Sequence, residues 1–477
     1  MLRICQVVPF GFRTLALVRF WRGCQEEQCL LTVKIAQFDG QFNAKASTLT
    51  MLLKPAYDST EHTSSYYAAS ASRKTNYPEL QDDLKTDVVV VGGGFSGVAT
   101  ALELSERGYE VILLEANRIG WGASGRNGGQ LIGGYGNNPS AFRHTIGLEG
   151  VAQVQQMGVE CVDIVSERIE KYKIDCDLKW GWCEVALKRR HLKAYKNWSL
   201  EESAIQLLDI NEVREFVNSE LYLGGYYRED WGHLHPLNLC LGEAKAAEAL
   251  GTQIFEQSKV TAIKYSTKPV ISTTKGSVQA RFAVLCGNAY MTDLVPYLDA
   301  RVLPSVSCII ATEPLSESQI NQTLPRDVAV CDSRTALDYY RLTADKRLLM
   351  GGLSNYTGLE PTDVGKVMRN HMVKVFPCLK LVGIDYAWSG KIGVSIRRMP
   401  QVGCIKGSNV LYATGYSGHG VAPTHMSGRV LAEAVHGNPY RMNILSKMYH
   451  LPWPGGKIFR RPFMAAGMMF YKALDML

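Results

Sequence analysis

The run VVVVGGGFSGVATALELSERGYEVILLE, Val88 to Glu115, restricts the architecture more than any other stretch of the chain. Its four valines suit a parallel strand covered on both faces. Gly92, Gly94 and Gly97 follow as a GxGxxG turn. In such a turn the first glycine permits the tight exit from the strand. The second lets backbone approach a pyrophosphate, and the third lets helix pack on strand. Val98, Ala101, Leu102 and Ser105 recur at helical spacing, and Gly108 falls where a helix C-terminal glycine belongs. EVILLE reads as the next buried strand, and Glu115 ends it, placed to bond ribose hydroxyls. The helix start between the strands offers N–H groups and a positive dipole end to phosphates. This predicts a βαβ unit that holds a dinucleotide, with NAD and FAD unresolved at this point.

Two further tracts separate them. NRIGWGASGRNGGQL, Asn117 to Leu131, is too rich in glycine for a simple link from strand to helix. It suits backbone wrapped against an extended ligand, with Ser124, Arg126 and Asn127 supplying polar contacts. A flavin buried from pyrophosphate to ring needs such a wrap, and a nicotinamide does not. ATGYSGHGVAPTHMSGR, Ala413 to Arg429, places Gly415, Gly418 and Gly420 before another helix. A helix N-terminus beside a flavin pyrimidine edge stabilises the negative charge of the reduced ring. His419 sits in that turn and reads first as a histidine bonded to backbone. A nucleotide fold that starts near Thr86 and is completed near residue 430 is discontinuous. The fold class expected is therefore α/β, a discontinuous Rossmann-like FAD-binding domain with an inserted mixed β-sheet substrate domain.

Composition excludes several alternatives. The 477 residues carry a formal charge of +7 without a dense basic stripe, so nucleic acid is not an expected partner. The 12 cysteines show no CxxC pair and no zinc spacing, so no metal is expected. They read as reduced thiols of a cytoplasmic protein. No apolar run reaches the roughly 20 residues of a membrane span. Residues 1–60 hold Arg3, Arg13, Arg19 and Arg22 before the first acid, a composition like that of a targeting segment, an extension, or a stretch upstream of a true start near Met51, with no part expected in the chemistry. SLEESAIQLLDINEVREFV reads as helix, and LKWGWCEVAL as strand.

Together GGGFSG, GASGRNGGQL, GHLHPLNL, CGNAY, DYYRLTADKRLLMGG, RMPQVG and GYSGHGVAPTHMSGR resemble the D-amino-acid-oxidase-like flavoproteins, glycine and sarcosine oxidases included. GHLHPLNL and DYYRLTADKRLL narrow the likeness to the gamma-glutamylputrescine oxidase subgroup, and TEHTSSYYAASA resembles that subgroup's amino-terminal segment. GKIGVSIRRMP, Gly390 to Pro400, is more basic than that subgroup leads one to expect. The resemblance implies FAD contacts at Gly92, Gly94, Ser96, Gly97, Glu115, Ser124, Arg126, Asn127, Gly129, Gln130, Leu131, Val260, Gly287, Gly418, His419, Gly420 and Val421. It implies an FAD-binding domain from 84–135, 230–300 and 385–450, a substrate domain from 136–229 and 301–384, and a docking segment at 451–477. The chemistry implied is oxidation of gamma-glutamylputrescine to the aldehyde, with ammonia released and molecular oxygen reduced to hydrogen peroxide. Trp388, Tyr340, Arg341 and Lys391 are the substrate-side candidates. The aromatic rings would wall the aliphatic chain, Arg341 would pair the glutamyl carboxylate, and Lys391 would place charge near the flavin. His233 and His235 read first as turn residues. A glycine- or sarcosine-oxidase-like enzyme of the same fold, and an FAD-binding assembly factor without turnover, stand as alternatives. The oligomeric state stays open.

Overall fold

The architecture comes from a computed structural model. It describes strands Cys5–Phe10, Thr14–Arg19, Cys29–Phe38 and Ala44–Leu53, then residues 59–454 apart from 292–293, 335–336 and 353–359, and residue 467. Two compact units result, Met1–Ser59 and Thr60–Leu477. In the first, the four strands pair antiparallel in chain order. The docking role expected of 451–477 falls outside the described residues, apart from 451–454 and 467.

The second unit holds two sheets. In the smaller one, Gln253–Phe255, Val111–Leu114, Asp83–Val91, Ser277–Leu285 and Val410–Thr414 run parallel side by side. Val88 to Leu114 thus form the expected strand–turn–helix–strand, with helix Phe95–Glu106 between the strands. The last strand arrives more than a hundred residues after its neighbour, which makes this nucleotide-type sheet discontinuous. Helix Phe95–Glu106 packs on helix Val421–Val435 because both present small residues. A Cβ on Gly428 would come within 2.9 Å of the Thr100 amide nitrogen.

The larger sheet is mixed. Its order is Ile384–Val394, Leu303–Pro314, Arg347–Gly352, Asp338–Leu342, Ala329–Asp332, Lys179–Val185, Gly225–His233, Gln130–Leu131, and Gln206–Leu208 pairs alongside Gly225–His233. Ala329–Asp332 lies parallel to Lys179–Val185, while the other pairings are antiparallel. Strands Gly225–His233 and Ile384–Val394 run straight through positions 230 and 385, where the sequence suggested domain boundaries, and both belong to this larger sheet. The two sheets also share one apolar core. Val88, Val90 and Leu113 of one cluster with Ile309, Leu349 and Trp388 of the other.

One expected helix is corrected. The helix is Arg189–Glu201, and the chain then runs as strand Gln206–Leu208 and a 3-10 turn at Glu212–Glu215. Asp209 Oδ1 accepts from the N–H of Asn211 and of Glu212, at 2.7 and 2.9 Å. A side chain that captures those N–H groups diverts the backbone from a helix ladder.

Candidate functional site

Strand Asp83–Val91 ends at Gly92 with φ +108°, and Gly94 is the N-cap of helix Phe95–Glu106. A Cβ on Gly97 would overlap the Gly92 carbonyl oxygen, so helix and turn touch only because the residue is glycine. Glu115 folds back on this turn. Its Oε2 accepts from Gly93 N–H at 2.6 Å and its Oε1 from Asn117 N–H at 2.8 Å. Burial lifts its carboxyl to about 7, against the pull of those two N–H donors. Each oxygen keeps acceptor capacity for hydroxyl donors. The turn, the helix start and this carboxylate fit the ribose and pyrophosphate of a dinucleotide.

Hydrogen bonds tie three distant glycine tracts together here. Ser124 Oγ accepts from Phe95 N–H at 2.8 Å, which closes the Gly120–Leu131 wrap on the helix start. The Ser96 hydroxyl donates to Tyr416 Oη at 2.9 Å, joining the first tract to the third. Gly287 precedes Asn288, whose Oδ1 accepts from Gly415 N–H at 3.0 Å. Val260 is half-buried at the edge of the smaller sheet's core.

A cavity of about 810 Å³ opens beside these tracts. Arg126, Asn127 and Gln130 of the wrap line it, together with Gly418, His419, Gly420 and Val421 at the start of helix Val421–Val435. Asn127 is locked in place. Its Nδ2 donates to Ser124 O at 2.8 Å and its Oδ1 accepts from Gly129 N–H at 2.7 Å. Gln130 Nε2 donates to Val330 O at 2.9 Å, and Trp182 Nε1 and the Cys331 thiol donate to its Oε1. Leu131 is buried on the adjoining strand position, opposite Gly232. His419 Nε2 donates to Gly134 O at 2.9 Å, and burial holds its pKa below the ordinary value, which keeps the ring neutral. It is thus a histidine bonded to backbone at the cavity wall. The opposite wall is the face of the larger sheet that carries Ser305, Ser307, Tyr339, Gly390 and Ile392.

The substrate-side expectations need correction. Tyr340 points away from the cavity, because neighbours on a strand face opposite sides. Its hydroxyl donates to Tyr222 Oη at 2.8 Å and its ring packs on Phe376. Arg341 is 2% exposed and bonded to the protein itself. Its Nε donates to Gly128 O at 2.8 Å, Nη1 to Leu342 O at 2.9 Å, and Nη2 to Leu234 O at 2.9 Å and Tyr67 Oη at 3.1 Å. It braces the wrap from behind and has no fork left to offer a carboxylate. Trp388 does likewise, donating from Nε1 to Arg126 O at 3.0 Å. Lys391 sits opposite Val306, alternating with the cavity-lining Gly390 and Ile392, and so lies on the sheet's other face. His235 caps helix Pro236–Ala249, accepting from Asn238 N–H at 3.1 Å.

Sequence reasoning missed Asn137, Ser305, Ser307 and Arg398 as cavity-lining residues, and Tyr67 as the buried ring packed on Trp388 and bonded to Arg341. The serines were signalled by alternation, two hydroxyl residues on one face of the apolar strand Leu303–Pro314. Tyr67 carried no such signal. Its ring meets Trp388 and His235 edge-on at 5.5 and 4.9 Å only through the fold.

A family model described as FAD dependent oxidoreductase matches residues 87–434. The chain belongs to this family. It is 42% identical over 424 residues to the gamma-glutamylputrescine oxidoreductase of Escherichia coli, covering 88% of this chain and 99% of that protein. A probable oxidoreductase of Haemophilus influenzae is 39% identical, with 87% of this chain and 98% of that one covered. Glycine oxidase from Geobacillus kaustophilus superposes with a TM-score of 0.62 at 22% identity, over 74% of this chain and 95% of that one. That last likeness shows the fold. The cofactor of this oxidoreductase is FAD, and among the described residues no helix is long and apolar enough to cross a membrane.

Proposed function

We propose that the chain oxidises gamma-glutamylputrescine at its primary amine. The products are gamma-glutamyl-gamma-aminobutyraldehyde, ammonia and hydrogen peroxide, with oxygen and water consumed. The observation that carries this reading is the 42% identity to the Escherichia coli enzyme across nearly the whole of both chains. Bound FAD supplies the two-electron acceptor. In this reading Gly92, Gly94, Ser96 and Gly97 hold the pyrophosphate end, and Glu115 takes the ribose hydroxyls. Val260 and Gly287 border the adenine half. The wrap of Ser124, Arg126, Asn127, Gly129, Gln130 and Leu131 and the turn of Gly418, His419, Gly420 and Val421 enclose the ring. Tyr339, on the larger sheet, replaces Tyr340 as the aromatic wall of the substrate space. The division into an FAD-binding and a substrate domain belongs to the same reading, with both strands 225–233 and 384–394 counted in the substrate sheet, and so does a cytoplasmic location.

The test uses purified protein with its flavin. Gamma-glutamylputrescine added without oxygen is expected to bleach the visible flavin bands, and air is expected to restore them with one peroxide per turnover. Bleaching by glycine or sarcosine and not by gamma-glutamylputrescine would move the assignment to the alternative. Bleaching by no amine would leave an FAD-binding assembly factor.

A further inference from the structure

The described residues that line the cavity include three arginines, Arg126, Arg397 and Arg398, and no aspartate or glutamate. Two of the guanidinium groups are engaged by the protein. Arg126 Nε donates to Trp121 O at 2.8 Å, and the group stacks over the Trp121 ring at 4.5 Å. Arg397 Nη1 donates to Ala141 O at 2.8 Å and lies over the Phe142 ring at 4.8 Å. Arg398 differs. It is exposed at the cavity, and its guanidinium has no hydrogen bond, ion pair or ring contact among the described residues. Its backbone is nonetheless fixed. The Arg398 N–H donates to Ser395 O at 3.1 Å, and its carbonyl accepts from Asn137 N–H at 3.2 Å. Its φ is +53°, a region few residues other than glycine, asparagine and aspartate adopt. An unengaged cation on a tightly held turn faces a cavity with no acid among its described lining residues.

We propose that Arg398 is the subsite for a carboxylate at the far end of the substrate, so that the cavity selects an acylated amine with an acidic tail over a free diamine. The inference rests on the amine-oxidase reading above and deepens it. A reacting amine must be neutral, and a lining without carboxylates gives its ammonium form no counter-charge. A free diamine brings a second ammonium that meets an arginine instead of an acid. Acylation by a gamma-glutamyl group turns that ammonium into a neutral amide and adds a carboxylate that the planar guanidinium fork can hold in two parallel bonds. The substrate's own alpha-ammonium stays with solvent at the exposed Arg398 end.

Arg398→Asn is the variant of choice, because asparagine tolerates the positive φ and keeps the turn. With gamma-glutamylputrescine its KM is expected to rise about ten- to a hundredfold, with kcat within about twofold. With N-acetylputrescine, which has the amide and lacks the carboxylate, KM is expected to be unchanged. A second arm needs no turnover: glutarate is expected to perturb the visible spectrum of the bound flavin in the wild-type protein and not in the variant. Equal KM changes for both amines, or glutarate binding that is absent from the wild type or intact in the variant, overturns the inference. Failure of the wild-type enzyme to oxidise gamma-glutamylputrescine would sink the substrate assignment alone, since the glutarate arm still reads the subsite.

Discussion

Arg341 shows how a single residue changes role once its surroundings are known. As a cation in an aromatic tract it suits a substrate carboxylate. In the fold its N–H groups are taken by Gly128 O, Leu234 O, Leu342 O and the Tyr67 hydroxyl. A Cβ on Gly129 would overlap Leu234 O, so the wrap lies directly against this guanidinium. Arg341→Gln is therefore expected to loosen the wrap, leaving buried carbonyls short of donors at about 2–4 kcal/mol. The FAD dissociation constant should rise at least about tenfold, while KM at saturating FAD stays within about twofold. A KM increase confined to the gamma-glutamyl substrate would return Arg341 to the carboxylate. Glu115 behaves in the opposite way. Its position after a glycine turn and a strand announced its place, and the structure adds the two N–H bonds and the burial that set its protonation.

At the scale of elements, the turn and helix that open the nucleotide-type sheet depend on contact between Gly97 and the Gly92 carbonyl. Gly97→Ala must push the helix off the strand, a strain of about 1–3 kcal/mol in a packed core. The expected protein melts several degrees lower and purifies without its yellow colour. A melting curve and the ratio of visible to ultraviolet absorbance check both, and a variant that keeps full flavin content would refute the packing role. Strand faces explain the substrate-side errors. Alternation was legible in Leu303–Pro314 and in Asp338–Leu342, but not which face met the cavity, because both faces of the larger sheet are covered by apolar clusters. Tyr339 and Tyr340 are interchangeable as text and lie on opposite sides of the sheet.

The whole molecule has a stability profile set by buried titratable groups. Glu184, half-buried, accepts from the hydroxyls of Tyr195 and Tyr226 at 2.9 and 3.2 Å, and burial lifts its carboxyl to about 7. The unfolded value is 4.5. The fold thus binds the extra proton between those values and loses stability as pH rises through them, on the order of 2 kcal/mol by pH 7.5 after allowance for partial exposure. His233 and His235 act from the acid side. Burial holds both near 3, so the unfolded chain gains protons first and stability falls as pH drops below 6.5. Glu184→Gln, which keeps an acceptor oxygen, should raise the melting temperature at pH 7.5 relative to that at pH 5 in the FAD-saturated protein, since the histidine contribution is common to both chains. An unchanged difference would show that the Glu184 carboxyl titrates near its ordinary value in the fold.

Taken alone, the sequence determined the strand–turn–helix–strand, the second glycine wrap, the returning glycine turn and, through its motifs, the FAD-dependent family. These are local patterns, written in residues within one or two turns of each other, and their spacing is itself the physical requirement for binding phosphate and packing helix on strand. Tertiary structure alone decided which side chains face the cavity, which arginines are engaged and which stands open, and how a strand near residue 412 comes to lie beside one near residue 284. Those outcomes depend on partners hundreds of residues away, Tyr67 on Arg341 or Ser96 on Tyr416, and no window along the chain contains both halves of such a contact.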